Sequence, residues 1–443
     1  MSTLPLLAHD SPSAVAAYRG GVAISARQLL ADVVRLAESL PPGRYVLNAC
    51  TDRYRFAVAL LAAIVSDKVT LLPPTYVPDV VRQLRAFAPD AVCVGDDDSS
   101  ELDLPLVRCP TDFAPLPREW NVPQVDIRQT VAYVFTSGST GVPVPHIKAW
   151  GRLCDNVRVE AERLGLRDRR GYALLATVPP QHMFGFESSV LLALCTGQAF
   201  AAERPFYPAD VVSVLGCLPR PRILVSTPIH LRALLAAGVS AAVDLVVCAT
   251  APLNPEIARD VEARFGAPLL EIYGSTETGQ IASRRTVEAV QWSLWPGVEL
   301  EERSGRVWAR GGHIETPTAL GDIIEPIGVD RFLLHGRTAD LVNVAGKRSS
   351  LAYLNHVLTT LPGVADGIFF VREDVDGQSA TGTSRLAAVA VAPGLSSEDL
   401  LRLLRERVDP VFLPRPLLLV DRIPRTATGK LPRAVLESLV ARR

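Results

Sequence analysis

Between Val134 and Trp150 the chain reads VFTSGSTGVPVPHIKAW. Six consecutive residues, Thr136-Ser137-Gly138-Ser139-Thr140-Gly141, carry no side chain larger than threonine. A stretch this bare lets successive backbone N–H groups turn into one concavity, a nest that binds phosphate oxygens. Its glycines allow close approach and dihedrals that other residues avoid, and four hydroxyls add donors. A flexible linker has a similar composition, but this segment follows an apolar strand-like run, Val131–Phe135, in mid-domain. The Gly-Lys-Ser/Thr ending of a P-loop is missing. On its own the loop leaves phosphate binding an open reading.

Other stretches hold residues of the same kind. EIYGSTETGQ places Tyr273, Thr276 and Glu277 just beyond an apolar run that ends at Ile272. RTADLVNVAGKRSS follows Gly336, and PRTATGKLPR puts Lys430 after Gly429 near the C-terminus. PPQHMFGFE sets His182 ahead of Met183, Phe184 and Phe186, which either line a pocket or fill a core.

The elements that position them alternate. Ser25, with Gln28 three residues on, has capping-box spacing and opens a helix running to Leu40. Arg44–Asn48 reads as a strand, Tyr54–Val65 as a buried helix, Val69–Leu72 as a strand, Asp79–Phe87 as a helix and Ala91–Val94 as a strand. Further on, the strand Arg222–Ser226 leads to a helix over His230–Ala236. Leu245–Cys248, Pro255–Phe265 and Leu269–Ile272 then read as strand, helix and strand. This alternation predicts an α/β fold with a largely parallel sheet, whose ligands bind beyond the carboxyl ends of the strands. After about Gln280 short strands and turns dominate, a small β-rich portion. The tail has its own strands, Gly367–Val371 and Leu386–Val391, and a capped helix from Ser396 through Val408. The expected layout is a large N-terminal domain, residues 1–337, and a small mobile α+β C-terminal domain, residues 338–443, joined at Arg337–Asp340.

With the small-residue loop, EIYGSTETGQ, RTADLVNVAGKRSS and PRTATGKLPR in that order, the chain resembles the adenylate-forming superfamily of acyl-CoA synthetases, peptide-synthetase adenylation domains and luciferases, from about Gly20 to Arg433. The resemblance implies an ATP-dependent, AMP-forming acid–thiol ligase with Mg²⁺. In it Thr136, Ser137, Gly138, Ser139, Thr140 and Gly141 would hold the β- and γ-phosphates. Tyr273 and Gly274 would lie by adenine, Thr276 near the α-phosphate, and Glu277 would hold the metal, a hard cation that keeps waters and shares phosphates. Ala249, Thr250 and Ala251 would form the turn beside adenine and substrate. Asp322 would bind the ribose hydroxyls and Arg337 ribose or phosphate. Lys430 would bridge the acid's carboxylate and the α-phosphate, offsetting charge in the transition state. His182 would stand by the acyl pocket and the thiol path, and Gly346 would admit the pantetheine arm. After adenylation the small domain would turn about Arg337–Asp340, withdrawing Lys430 and presenting Gly346.

The sequence departs from the pattern in places. The loop continues Pro143-Val144 where the family has Pro-Lys, with His146 and Lys148 close by. Ala339, followed by Asp340, stands where a polar hinge residue is usual. The brevity and TSGSTGVPVPH are similar to short aryl-polyene and xanthomonadin-type acid ligases, which implies an aromatic acid such as hydroxybenzoate. Alternatives are a fatty acyl ligase, an acyl-AMP former with no thiol step, and a non-catalytic nucleotide-binding relative. The acceptor is an acyl carrier protein or coenzyme A. Basic residues at Lys347, Arg348, Arg402, Arg405 and Arg407 incline slightly to the carrier.

The bulk numbers bound these readings. With 443 residues, 48% hydrophobic and 21% charged, the chain is globular and long enough for two or three domains. Net charge is −1 with no long basic run, which opposes a nucleic-acid partner. Seven cysteines without a CxxC pair predict neither a disulfide framework nor a zinc site, and fit the cytoplasm. No basic-then-apolar segment opens the chain, and the longest apolar run, Phe56–Val65, is too short for stable membrane insertion.

Overall fold

The computed structural model describes residues 2–96, 102–137, 143–167, 171–337, 341–344, 347–372, 385–425, 431 and 433–441. They pack as two units. The first comprises Met1–Glu301, Trp308–Thr318 and Val329–Arg331; the second comprises Glu302–Val307, Ala319–Gly328 and Phe332–Arg443.

The first unit carries the expected α/β architecture, built on two sheets. One is six-stranded, in the order Pro143–Ala149, Thr130–Ser137, Val69–Leu72, Tyr45–Asn48, Val92–Gly95, Leu106–Arg108. Its strands are parallel except for the first pair. The helix Arg53–Val65 between its strands has an N-cap at Asp52, whose side chain accepts from the Arg55 N–H. Eleven of its residues are buried, as an apolar run flanked by charge requires.

Pro143–Ala149 is an unexpected strand. It returns antiparallel from Thr130–Ser137 and occupies the sheet edge, where two prolines are tolerated because their missing N–H groups need no ladder partner. The bare loop therefore lies in the chain between two paired antiparallel strands.

In the second sheet the strands Leu269–Ser275, Leu245–Cys248, Arg222–Ser226, Ala173–Ala176, Ala199–Ala201 and Val15–Arg19 run parallel in that order. Gly279–Arg284 and then Trp292–Leu294 add antiparallel at one side, and Val22–Ser25 at the other. Val246, Leu224, Leu175 and Leu269 of these strands pack with Leu231 and Val261 from the helices Pro228–Ala236 and Pro255–Phe265, all nearly inaccessible to solvent. At about 1.5–3 kcal/mol per fully buried large aliphatic, this core contributes substantially to the unit's stability.

The second unit has an antiparallel hairpin, Leu341–Val344 with Lys347–Ser350. Asp366–Arg372, Arg385–Val391 and Leu417–Leu419 form a three-stranded sheet in the same unit. The helix Ser397–Arg405 starts with a complete capping box between Ser396 and Asp399, as the spacing predicts. Arg425 clamps Asp366 through two hydrogen bonds of 2.7 and 3.0 Å. No described helix is long and apolar enough to cross a membrane.

Candidate active site

Four neighbouring parallel strands of the second sheet end on one side of the first unit, and polar residues follow each of them. After Ala173–Ala176 comes Thr177, whose hydroxyl lies 3.0 Å from that of Ser226. After Ser226 comes Thr227, bound at 2.8 Å to His230 Nδ1. After Cys248 the chain passes through Ala249, Thr250 and Ala251. Thr250 has φ +84°, a conformation that a β-branched residue adopts only when its surroundings impose it.

Leu269–Ser275 brings Tyr273 to the same row, its ring 5.7 Å from that of Trp292. The strand then turns sharply. Ser275 and Thr278 close the turn reciprocally, each side-chain oxygen accepting from the other's N–H at 3.2 Å. Gly274 is required by proximity, since a Cβ there would lie 2.3 Å from the Gly279 carbonyl. Gly279 has φ +70°, and a Cβ on it would lie 2.4 Å from Asn156 Nδ2. The sequence between these glycines forms a closely packed turn with Thr276 and Glu277 at its crest. The Glu277 side chain is 40% exposed.

The edge strand Pro143–Ala149 supplies side chains that meet this turn. His146 Nε2 lies 2.9 Å from Thr136 Oγ1 and 3.6 Å from Glu277 Oε1, so one ring joins the end of the loop's strand to the carboxylate. Burial holds its basicity below that of free histidine, while Glu277 opposes the shift. Lys148, two residues on and facing the same way, is buried and donates to the Thr276 carbonyl at 2.6 Å. It is an internal anchor of the turn and does not stand in for the lysine missing after Pro143. Val144 and Ile147 of the same strand are exposed.

Behind the turn is a buried polar layer. Asn156 donates to Glu187 at 2.7 Å, Gln280 donates to Ser188 at 2.7 Å, and His313 Nε2 lies 3.0 Å from the Thr278 carbonyl. Burial drives the Glu187 carboxyl well above the usual range and pushes Glu160 up to about 8. It pulls His313 down to about 4, so both carboxyls are favoured as neutral acids and the imidazole as a neutral base. Sequence reasoning assigned no role to Asn156, Glu160, Glu187, Gln280 or His313. Two signals existed. Asn156 and Glu160 are four apart on the helix Trp150–Arg163, hence on one face. Glu187-Ser188-Ser189 interrupt an otherwise apolar helical run, and there the chain adopts a π-helix, Phe186–Leu191, a form frequent at functional sites.

The remaining expected residues are placed as follows. His182 is half-buried; its N–H donates to Pro179, and its carbonyl accepts from the Phe186 N–H at 2.7 Å. Phe186 is wholly buried against Phe56 and belongs to the core, whereas Phe184 is partly exposed. Asp322, half-buried, begins the strand Asp322–Ile327, and Arg337 ends the strand Arg331–Arg337; both lie in the second unit. Gly138, Ser139, Thr140, Gly141, Ala339, Asp340, Gly346 and Lys430 lie outside the described residues, as do the side chains of Ser137, Arg337, Lys347 and Arg348.

As a metal site the turn offers a single, partly exposed carboxylate. Among the described residues no three His, Cys, Asp or Glu side chains converge as a cage. Such a donor set fits Mg²⁺, which keeps most of its waters and shares its shell with phosphate oxygens.

Comparison with known proteins bears on the identity of this site. Residues 7–307 match the family of AMP-binding enzymes. The 4-coumarate–CoA ligase of Rhodobacter capsulatus is 32% identical over 53% of this chain, and the match spans 59% of that relative's length. The 3-hydroxybenzoate–CoA ligase of Aromatoleum sp. is 25% identical over 98% of this chain and 86% of its own length. The fold is shared with the o-succinylbenzoate CoA synthetase of Bacillus subtilis in complex with its acyl-adenylate intermediate. That likeness has a TM-score of 0.81 and 17% identity, covering 99% of both chains. The chain belongs to the AMP-binding enzyme family, within the adenylate-forming superfamily.

Proposed function

We propose that this enzyme joins an aromatic carboxylic acid to a pantetheine thiol in two steps. The acid first attacks the α-phosphorus of ATP, forming acyl-adenylate and releasing pyrophosphate. The thiol then takes the acyl group and releases AMP. One observation carries the reading: the Thr276–Glu277 turn and the end of the Thr130–Ser137 strand, the two expected phosphate-handling segments, meet across His146.

Glu277 would hold Mg²⁺, which when bound would neutralise the polyphosphate. Thr136, Ser137 and the loop to Gly141 would grip the outer phosphates. Tyr273, Gly274 and the strained turn at Ala249, Thr250 and Ala251 would flank the adenosine and the acid, with His182 at the acyl side. Asp322 and Arg337 would serve the ribose, Lys430 the α-phosphate, and Gly346 the thiol path. In this reading residues 1–337 act as the adenylation domain and 338–443 as the moving lid.

The aromatic acid is supported by the names of the relatives, which are ligases of 4-coumarate, indoleacetate, 3-hydroxybenzoate and 4-chlorobenzoate. Those names also favour coenzyme A as the acceptor. The carrier-protein reading rests on Arg402, Arg405 and Arg407, exposed on or just after the helix Ser397–Arg405.

A pyrophosphate-release screen over hydroxybenzoates, cinnamates and fatty acids tests the first step and identifies the acid. Release with fatty acids alone refutes the aromatic assignment, and release with no acid refutes the enzyme reading. Thioester formation with coenzyme A and with a holo carrier, each across a salt series, then decides the acceptor.

A further inference from the structure

The same region carries a feature that the ligase reaction, as set out above, leaves unused. Lys148 is 8% exposed, and among the described residues its hydrogen bond is made to a backbone carbonyl, that of Thr276, at 2.6 Å. Burying an ammonium costs several kcal/mol before its partners repay it. Burial lowers the basicity of Lys148, and the carboxylates of Glu187, Glu315 and Glu277 oppose that shift. Of these, Glu187 is driven toward its neutral form by burial, and Glu277 is on the solvent side of the turn. The ammonium therefore sits directly behind the crest of the turn and is tied to the peptide that carries Glu277.

His313 grips the same turn from its other end, at the Thr278 carbonyl. Asn156 and Glu187 fill the space under Gly279, leaving no room for a Cβ. Three buried contacts thus restrain four residues, whereas the crest itself is open to solvent. A chain that needed only a stable turn would have it from the Ser275–Thr278 pair. The additional anchors fix where the crest points.

We propose that Lys148 is a positioning residue for the adenylation step. By holding the Thr276 carbonyl it aims the Glu277 carboxylate at the metal–polyphosphate site. His313 assists from the opposite end of the turn. The proposal rests on the reading of Glu277 as the metal carboxylate, and the experiment separates the two.

Magnesium affinity is measured by isothermal titration into protein saturated with α,β-methylene-ATP, alongside melting temperature and pyrophosphate release. Lys148→Met preserves the length and volume of the side chain and removes the donor and the charge. The change leaves the Thr276 carbonyl without this donor, so some loss of stability is expected, and the melting temperature shows whether the fold persists. The magnesium dissociation constant is expected to rise by about tenfold, the scale of one lost charge-assisted hydrogen bond, with kcat falling and KM for the acid unchanged. Lys148→Arg, which keeps both donor and charge, is expected to recover most of the affinity. Glu277→Gln is the control.

If Glu277→Gln leaves magnesium affinity unaltered, the underlying assignment fails. If Glu277→Gln weakens it but folded Lys148→Met does not, the positioning role is overturned. A fall in melting temperature with normal magnesium affinity likewise makes Lys148 a scaffold residue only. Should Lys148→Met not fold, His313→Gln carries the same test from the other end of the turn. An unchanged magnesium affinity there overturns the proposal as well.

Discussion

Glu160→Gln should stabilise the first unit, and by an amount that grows with pH. Glu160 is completely buried on the helix Trp150–Arg163, and burial pushes its carboxyl from the ordinary 4.5 up to about 8. A carboxyl whose folded pKa is raised contributes stability that is fully present below its unfolded value. That stability is lost as pH rises from about 4.5 through 8, where the unfolded chain gives up a proton that the folded one retains. At about 1.4 kcal/mol per pKa unit, the loss between pH 5 and pH 8 is about 3 kcal/mol. Glutamine has the shape of the protonated acid and does not titrate. Its amide can donate, and Gln280 Oε1 and Asn156 Oδ1 in the same buried layer, like both Glu160 oxygens, have no hydrogen-bond partner among the described residues. The variant and the parent should therefore melt close together at pH 5. At pH 8 the variant should melt higher by about 6 °C, taking roughly 2 °C per kcal/mol for a unit of this size. Scanning calorimetry at both values reads this directly. A melting difference that is the same at pH 5 and pH 8 would refute the reasoning, because it would mean that Glu160 is ionised in the folded protein.

Three further outcomes are expected. Glu277→Gln keeps the shape of the crest but removes its charge, so the magnesium needed for half-maximal pyrophosphate release should rise; an unchanged titration removes Glu277 from the metal's shell. Lys430→Ala should cut pyrophosphate release by about 10²–10³-fold and spare thioester formation from synthetic acyl-adenylate; equal losses in both half-reactions show that the lysine does not belong to the first step alone. Gly279→Ala forces a Cβ to within 2.4 Å of Asn156 Nδ2 at φ +70°, which should destabilise the unit by about 1–3 kcal/mol as overpacking does; a variant as stable as the parent would show that the turn relaxes freely.

Much of the fold is legible because it follows from local rules. Ser25 and Ser396 cap helices where their spacing says they should, and apolar runs such as Leu245–Cys248 are strands buried on both faces. The edge strand Pro143–Ala149 was not legible. Its two prolines interrupt the alternation that marks a strand, and only its place at the edge of a sheet makes them acceptable. The same strand hid Lys148. By sequence this is a lysine near a phosphate loop, which suggests exposure and contact with phosphate. In the structure the alternation of the strand turns it inward, to a carbonyl 128 residues further along the chain.

The sequence by itself determined the family, because a small-residue loop, a Tyr-Gly-Ser-Thr-Glu stretch and a terminal Gly-Lys occur in the order that the adenylate-forming superfamily has. It also determined the α/β class, since hydrophobic period is a local property. What only the tertiary structure decided is which polar residues stand together. Asn156, Glu160, Glu187, Gln280 and His313 are separated by up to 157 positions in the chain, and each alone reads as an ordinary polar residue. Packing of the helix Trp150–Arg163 against the strand Gly279–Arg284 and the π-helix places them in one water-excluded layer. There burial raises the carboxyl pKa values of Glu160 and Glu187 and lowers the basicity of His313, and the Thr278 carbonyl of a solvent-facing turn meets His313.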